Sequence, residues 1–147
     1  MTGVAVPRRL MLGLLLGYSL FLAFVLLTPT SDVPSSGVAR LTDLALDWGL
    51  PHVTPVRVEF LCNVVLLVPF AVLGSLALPR WSWQDWTAWG FLLAGAVELT
   101  QGLVLPARDP SYADVVANTL GALLGAWLVV AVRYLASRPA PDLESWT

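Results

Sequence analysis

Residues 10–28 contain no charged side chain, and neither do residues 60–78. Each run is about as long as a helix needs to cross the hydrocarbon core of a bilayer, roughly 20 residues. Two further stretches read the same way. Residues 86–105 are largely apolar and carry Glu98 and Gln101, and residues 115–135 carry no charge until Arg133. Backbone amides have no water to bond inside a bilayer, so a chain built from such runs is confined to helices or a closed barrel. Runs this long and continuous suit helices. Charged residues make up only 12% of the 147, against roughly 25% in soluble domains. The predicted fold is an all-α integral membrane protein, a bundle of four transmembrane helices over about 10–28, 60–78, 86–105 and 115–135.

The first run follows Arg8 and Arg9, as a signal peptide would. It exceeds the roughly 7–15 apolar residues of a signal core, and no Ala-x-Ala-like site comes after it. It is therefore read as a retained span. Residues 1–9 then form a cytoplasmic N-terminus, 10–135 the transmembrane domain, and 136–147 a polar, Pro-containing, disordered cytoplasmic tail. All eight basic residues are arginine. With the N-terminus inside, Arg8, Arg9, Arg80, Arg133 and Arg138 fall on the inner side and Arg40, Arg57 and Arg108 on the outer. That bias places both termini in the cytoplasm.

Pro29, Pro34, Ser35, Ser36 and Gly37 predict a helix-breaking stretch in the first outer loop. Beyond it, Val38, Leu41, Ala45 and Trp48 share one helical face, and Arg40, Asp43 and Asp47 another. This short amphipathic segment suits the membrane surface, although an ordinary loop with some helical character fits equally well. Pro69 should kink the second span. Trp81, Trp83, Trp86 and Trp89 cluster near the next turn, as interfacial tryptophans do.

The polar residues inside the spans gather at one level. Glu59 and Asn63 open the second span, Glu98 and Gln101 come late in the third, and Arg108 and Asp109 occupy the loop after it. Asp114 and Asn118 open the fourth. At the rise of a helix, Glu98 lies about 10 Å inside Leu105 and Asn118 about 6 Å inside Asp114. All of these positions belong near the outer surface. Asp114, Asn118, Gly121 and Gly125 also fall on one helical stripe, which must face other helices because lipid would leave its polar groups unpartnered. Each residue has a structural reading beside the functional one. Asn63 and Asn118 serve as hydrogen-bonding glue between helices, Asp114 as an N-cap, and Gly121-x-x-x-Gly125 as a close-packing face, with Gly13-x-x-x-Gly17 another. Glu98 either pairs with Arg108 for structure or shares a functional site with it, since ionisable groups within a membrane are functional candidates.

Other chemistry finds little support. Cys62 is alone and is read as an inert buried thiol, and His52 as a surface histidine. No metal-ligand spacing, nucleophile motif or phosphate-cradling glycine loop is present, and no cofactor is called for. No basic stripe is available for nucleic acid.

The polar set resembles the VanZ-like family, named for teicoplanin resistance. It consists of Asn63 with Pro69-Phe70, then Glu98 and Gln101, then Arg108, then Asp114, Asn118-Thr119, Gly121 and Gly125. Leu67 and Ala71 stand where the family often has Phe and Gly, both packing positions. The resemblance implies a small bacterial inner-membrane protein, with resistance to a lipoglycopeptide acting at the cell surface as the family's named phenotype. Three functions remain open. The first is binding of an envelope lipid or peptidoglycan-precursor headgroup in an outer-leaflet polar pocket formed by Glu59, Asn63, Glu98, Gln101, Arg108, Asp114 and Asn118. The second is an intramembrane enzyme with Glu98 and Asp114 as acid and base. The third is transport, although the polar residues do not continue across the membrane. Pro69, Gly121 and Gly125 are assigned to helix packing, and an exposed small-residue face would allow a homodimer.

Overall fold

The computed structural model describes residues 7–28, 32–104 and 111–138. These form five helices: α1 (Arg8–Leu26), α2 (Asp32–Asp47), α3 (Pro55–Ala77), α4 (Trp83–Val104) and α5 (Tyr112–Ala136). Among the described residues there is no strand. Three helices, α1, α3 and α5, are long and apolar enough to cross a membrane. The helix over the third expected span is also present as α4, but it begins among tryptophans, Gln84 and Asp85 and carries Glu98 and Gln101, which lowers its hydropathy. The ends of the four long helices fall within a few residues of the expected spans, apart from α3, which starts earlier. Thr54 caps α3, its hydroxyl accepting from the Arg57 amide at 3.4 Å, and Pro55 takes the first helical position, where a missing N–H costs nothing.

α3 is the axis of the bundle. α5 makes the most extensive packing against it, α1 and α2 lean on it, and α4 packs chiefly on α5. The hydrogen bonds between helices set the directions. Arg8 Nε, at the start of α1, donates to the Ala77 carbonyl at the end of α3 (3.1 Å), and Tyr18 donates to the Leu66 carbonyl (2.7 Å), so α1 and α3 are antiparallel. Asn63 meets Asp114 near the starts of α3 and α5, while Arg133 Nη2 donates to the Ser75 carbonyl near their ends, so these two run parallel. Glu98, late in α4, reaches Ser111 at the start of α5, as an antiparallel pair requires.

Small residues let α3 and α5 close on each other. Gly121 lies against the Val64 carbonyl and Gly125 against the Val68 carbonyl, and a Cβ at either position would fall on those oxygens. Ala71, Ala122 and Ala126 fill the seam beside Leu22, Leu67, Phe70 and Trp86. Backbones this close gain dispersion contacts, the main attraction left between helices in lipid. Gly13 and Gly17 differ from this pair: nothing lies within 4 Å of a Cβ built on either. α3 continues through Pro69 as one helix.

Three details depart from the sequence reading. Pro34, Ser35, Ser36 and Gly37, read as helix-breaking, lie inside α2, which starts at Asp32, and Pro29 lies outside the described residues. Pro34 falls in its first turn, where the absent N–H would have no intrahelical partner. The packed face of α2 is Val38, Thr42 and Ala45, with Thr42 only 5% exposed, whereas Leu41 and Trp48 point outward. Trp86 is a core residue and not an interfacial one. It is 3% exposed, fills the space left by Gly74, and meets Phe70 edge to face at a centroid distance of 5.7 Å. Trp81, Trp83 and Trp89 remain exposed. Most of the tail assigned to 136–147 lies outside the described residues.

Candidate functional site

The helix directions bring the end of α1, the start of α3, the end of α4 and the start of α5 to one end of the bundle. Asn63, Glu98, Gln101, Asp114 and Asn118 all lie there. Glu59 stands one turn before Asn63 and is exposed, and Arg108 and Asp109 lie outside the described residues. At the opposite end Arg8 and Arg80 flank Trp81, and Arg133 sits near Ser75.

At the gathered end Asn63, Glu98, Gln101 and Asp114 each have a specific partner. Glu98 is 7% exposed, and its Oε2 accepts the Ser111 backbone N–H at 2.6 Å. Ser111 is the N-cap of α5, but its own hydroxyl makes no capping bond. Glu98 therefore supplies from α4 the carboxylate that a capping box would take from the third helical residue. That third residue is Asp114, which is thus in the first turn and not the N-cap considered from sequence. Its Oδ1 instead accepts from Asn63 Nδ2 at 2.8 Å, tying α5 to α3. Both carboxylates also sit at the positive end of the α5 dipole. Gln101, 4% exposed, donates from Nε2 to the Leu26 carbonyl at 2.6 Å, satisfying an orphan acceptor at the end of α1.

Asn118 breaks this pattern. It is 2% exposed, and its Oδ1 has no hydrogen-bond partner. The residue borders a cavity of about 340 Å³ whose other walls come from α1, α3 and α4.

Sequence reasoning missed the backbone half of these contacts. Side-chain pattern says nothing about the Leu26 carbonyl. The Ser111 cap could have been found, because Ser-x-x-Asp ahead of an apolar run is a capping signature. Cys62, read as buried, is half-buried, and His52 is exposed, its carbonyl accepting from Arg57 Nη1 at 2.6 Å.

The VanZ/LLP1 family model matches residues 10–133. This chain belongs to the VanZ/LLP1 family. The match runs from the start of α1 to the last turn of α5, so the four long helices and α2 are all part of the family unit. The site residues of this VanZ-type chain lie within it, at the end where α4 hands over to α5. No curated protein and no solved structure matches the chain.

Proposed function

We propose that this VanZ-type chain is a four-span protein of the bacterial cytoplasmic membrane that binds an envelope lipid or peptide headgroup at its polar end, and so alters the envelope's susceptibility to glycopeptides such as teicoplanin. The observation that carries this reading is the separation of the two ends. Asn63, Glu98, Gln101, Asp114 and Asn118 gather at one, while Arg8, Arg80 and Arg133 mark the other. Arginine-rich ends stay in the cytoplasm, so the polar end faces outward and both termini face inward. α4 is then the fourth span, its polar groups facing other helices. α2 lies along the outer surface with Leu41, Leu44 and Trp48 toward lipid, all of them at least 48% exposed. Arg108, in the loop joining α4 to α5, is the cation for a phosphate or carboxylate.

The two carboxylates already hold structural partners, Glu98 the Ser111 amide and Asp114 the Asn63 amide. That engagement supports a binding role over acid–base chemistry. Native mass spectrometry after mild detergent extraction tests the reading. Wild type should carry an anionic envelope lipid that Arg108→Ala and Glu98→Gln both lose while remaining folded. Retention of the same lipid by both variants would refute it. A change in lipid mass on incubation, abolished by Glu98→Gln, would establish the enzymatic alternative.

A further inference from the structure

The antiparallel packing of α1 on α3 sets Arg8, the first residue of α1, beside the turn that joins α3 to α4. That turn is short. The Trp81 amide donates to the Leu78 carbonyl at 3.0 Å, which places Pro79 and Arg80 at its tip. Arg8, Leu78, Pro79, Arg80 and Trp81 together line a cavity of about 360 Å³, within the roughly 300–1,000 Å³ of small-molecule sites.

Two guanidinium groups therefore share one cavity. Arg8 Nε donates to the Ala77 carbonyl at 3.1 Å, which orients the group and leaves its Nη1–Nη2 edge for another acceptor. Among the described residues neither Arg8 nor Arg80 has a carboxylate partner. The first turn of α1 holds no acid. Asp85, the acid nearest to Arg80 in sequence, turns its Oδ2 back to the Ser82 amide and hydroxyl, both at 2.8 Å. Two like charges brought together repel until an anion joins them, and the guanidinium fork matches the oxygens of a phosphate. The walls select the source of that phosphate. Leu78 and Pro79 are apolar, and Trp81 stacks on Trp89 at a centroid distance of 5.9 Å, with the two residues 38% and 45% exposed. Exposed indoles of membrane proteins sit at the level of lipid headgroups. A dissolved phosphate gains nothing from these surfaces, whereas the glycerol and upper acyl chain of a phospholipid cover them. With no carboxylate to receive an ammonium, the cavity favours a headgroup of net negative charge over a zwitterionic one.

We propose that Arg8 and Arg80 hold the phosphate of an anionic phospholipid in this cavity, beside the Trp81–Trp89 stack. The site lies at the opposite end of the bundle from the headgroup site proposed above and does not depend on it. In the topology given there, its lipid comes from the inner leaflet.

The test adds dioleoyl phosphatidylglycerol or dioleoyl phosphatidylcholine to the full chain in a neutral detergent and counts bound lipids by native mass spectrometry. Wild type should hold the phosphatidylglycerol about tenfold more tightly, the worth of one hydrogen bond to a charged group. Arg80→Gln should lose that preference. Arg80 is exposed and bonds to no described group, so this variant keeps its fold. Arg8→Gln should weaken the preference as well. Arg9→Gln combined with Arg138→Gln removes more charge from the same end, away from the cavity, and should preserve it. Equal affinity of wild type for the two lipids would overturn the proposal. So would a preference that survives Arg80→Gln, or one that the Arg9 and Arg138 changes abolish, since either leaves only a general attraction of charge. Displacement of the phosphatidylglycerol by equimolar inorganic phosphate would overturn the assignment to lipid. Repeating Arg108→Ala in the Arg80→Gln background keeps the headgroup reading distinguishable, because only the lipid of the other end is then left to lose.

Discussion

Replacing Glu98 should measure how far one helix depends on a carboxylate borrowed from another. Glu98 is 7% exposed and accepts the Ser111 amide at 2.6 Å, at the N-terminus of α5. A hydrogen bond to a charged group contributes about 1.5–3 kcal/mol, and an anion at a partly buried helix N-terminus adds up to ~2 kcal/mol. Glu98→Gln keeps an acceptor of the same shape and loses the charge, so it should cost about 1–2 kcal/mol. Glu98→Leu leaves the Ser111 amide without its partner, which raises the loss to about 3 kcal/mol. Ser111→Ala should stay within about 0.5 kcal/mol of wild type, because the hydroxyl caps nothing. The assay is unfolding in mixed micelles at rising SDS fraction, followed by helical circular dichroism. Glu98→Leu within about 0.5 kcal/mol of wild type would refute the capping argument. So would Ser111→Ala costing as much as Glu98→Leu, which would return the cap to Ser111.

Three further outcomes follow from the geometry. Gly125→Ala places a methyl on the Val68 carbonyl and against Ala71, so it should destabilise by about 1–3 kcal/mol as α3 and α5 are forced apart, read in the same unfolding assay. Gly13→Ala and Gly17→Ala meet open space and should leave monomer stability unchanged or slightly raised; a drop in oligomer mass by light scattering would instead identify this face as a dimer contact. At the start of α4, the Ser82 backbone amide and then its hydroxyl hold the Asp85 carboxyl below its ordinary value. Its contribution is complete above the unfolded-state value and disappears as pH falls through the lower folded value, so Asp85→Asn should flatten the acid side of a stability–pH curve.

The long helices were legible because hydrocarbon leaves a chain so few options: uncharged runs of bilayer length have to be helical. Gly121 and Gly125 were legible for a related reason, since small residues four apart on a polar stripe suit close helix contact, and the structure sets them on the Val64 and Val68 carbonyls. α2 was only half legible. Pro34 and Gly37 carry strong local signals, but proline in a first turn removes no bond, so the helix begins before them. Trp86 was illegible for want of its partner. Four tryptophans around a turn look interfacial until Gly74, on another helix, opens a slot for one of the rings. At the polar end, the residues could be read and their bonds could not. Two of the three contacts described there end on backbone groups, the Ser111 amide and the Leu26 carbonyl, and no side-chain pattern names those.

That use of backbone partners bears on how the end works. Glu98 and Gln101 satisfy helix termini that would otherwise be open, and the Asn63–Asp114 pair fixes the parallel α3–α5 seam at the same end of the bundle. The result is a rigid polar frame, which suits recognition because little ordering remains to be done when a ligand arrives. Within this frame Asn118 is buried most deeply, at 2% exposure, and its Oδ1 is buried without a hydrogen-bond partner. Its oxygen lies out of reach of water-sized groups, so Asn118 belongs to this end as a packed member of α5 and not as an exposed contact, and replacing it with Leu should leave the frame intact.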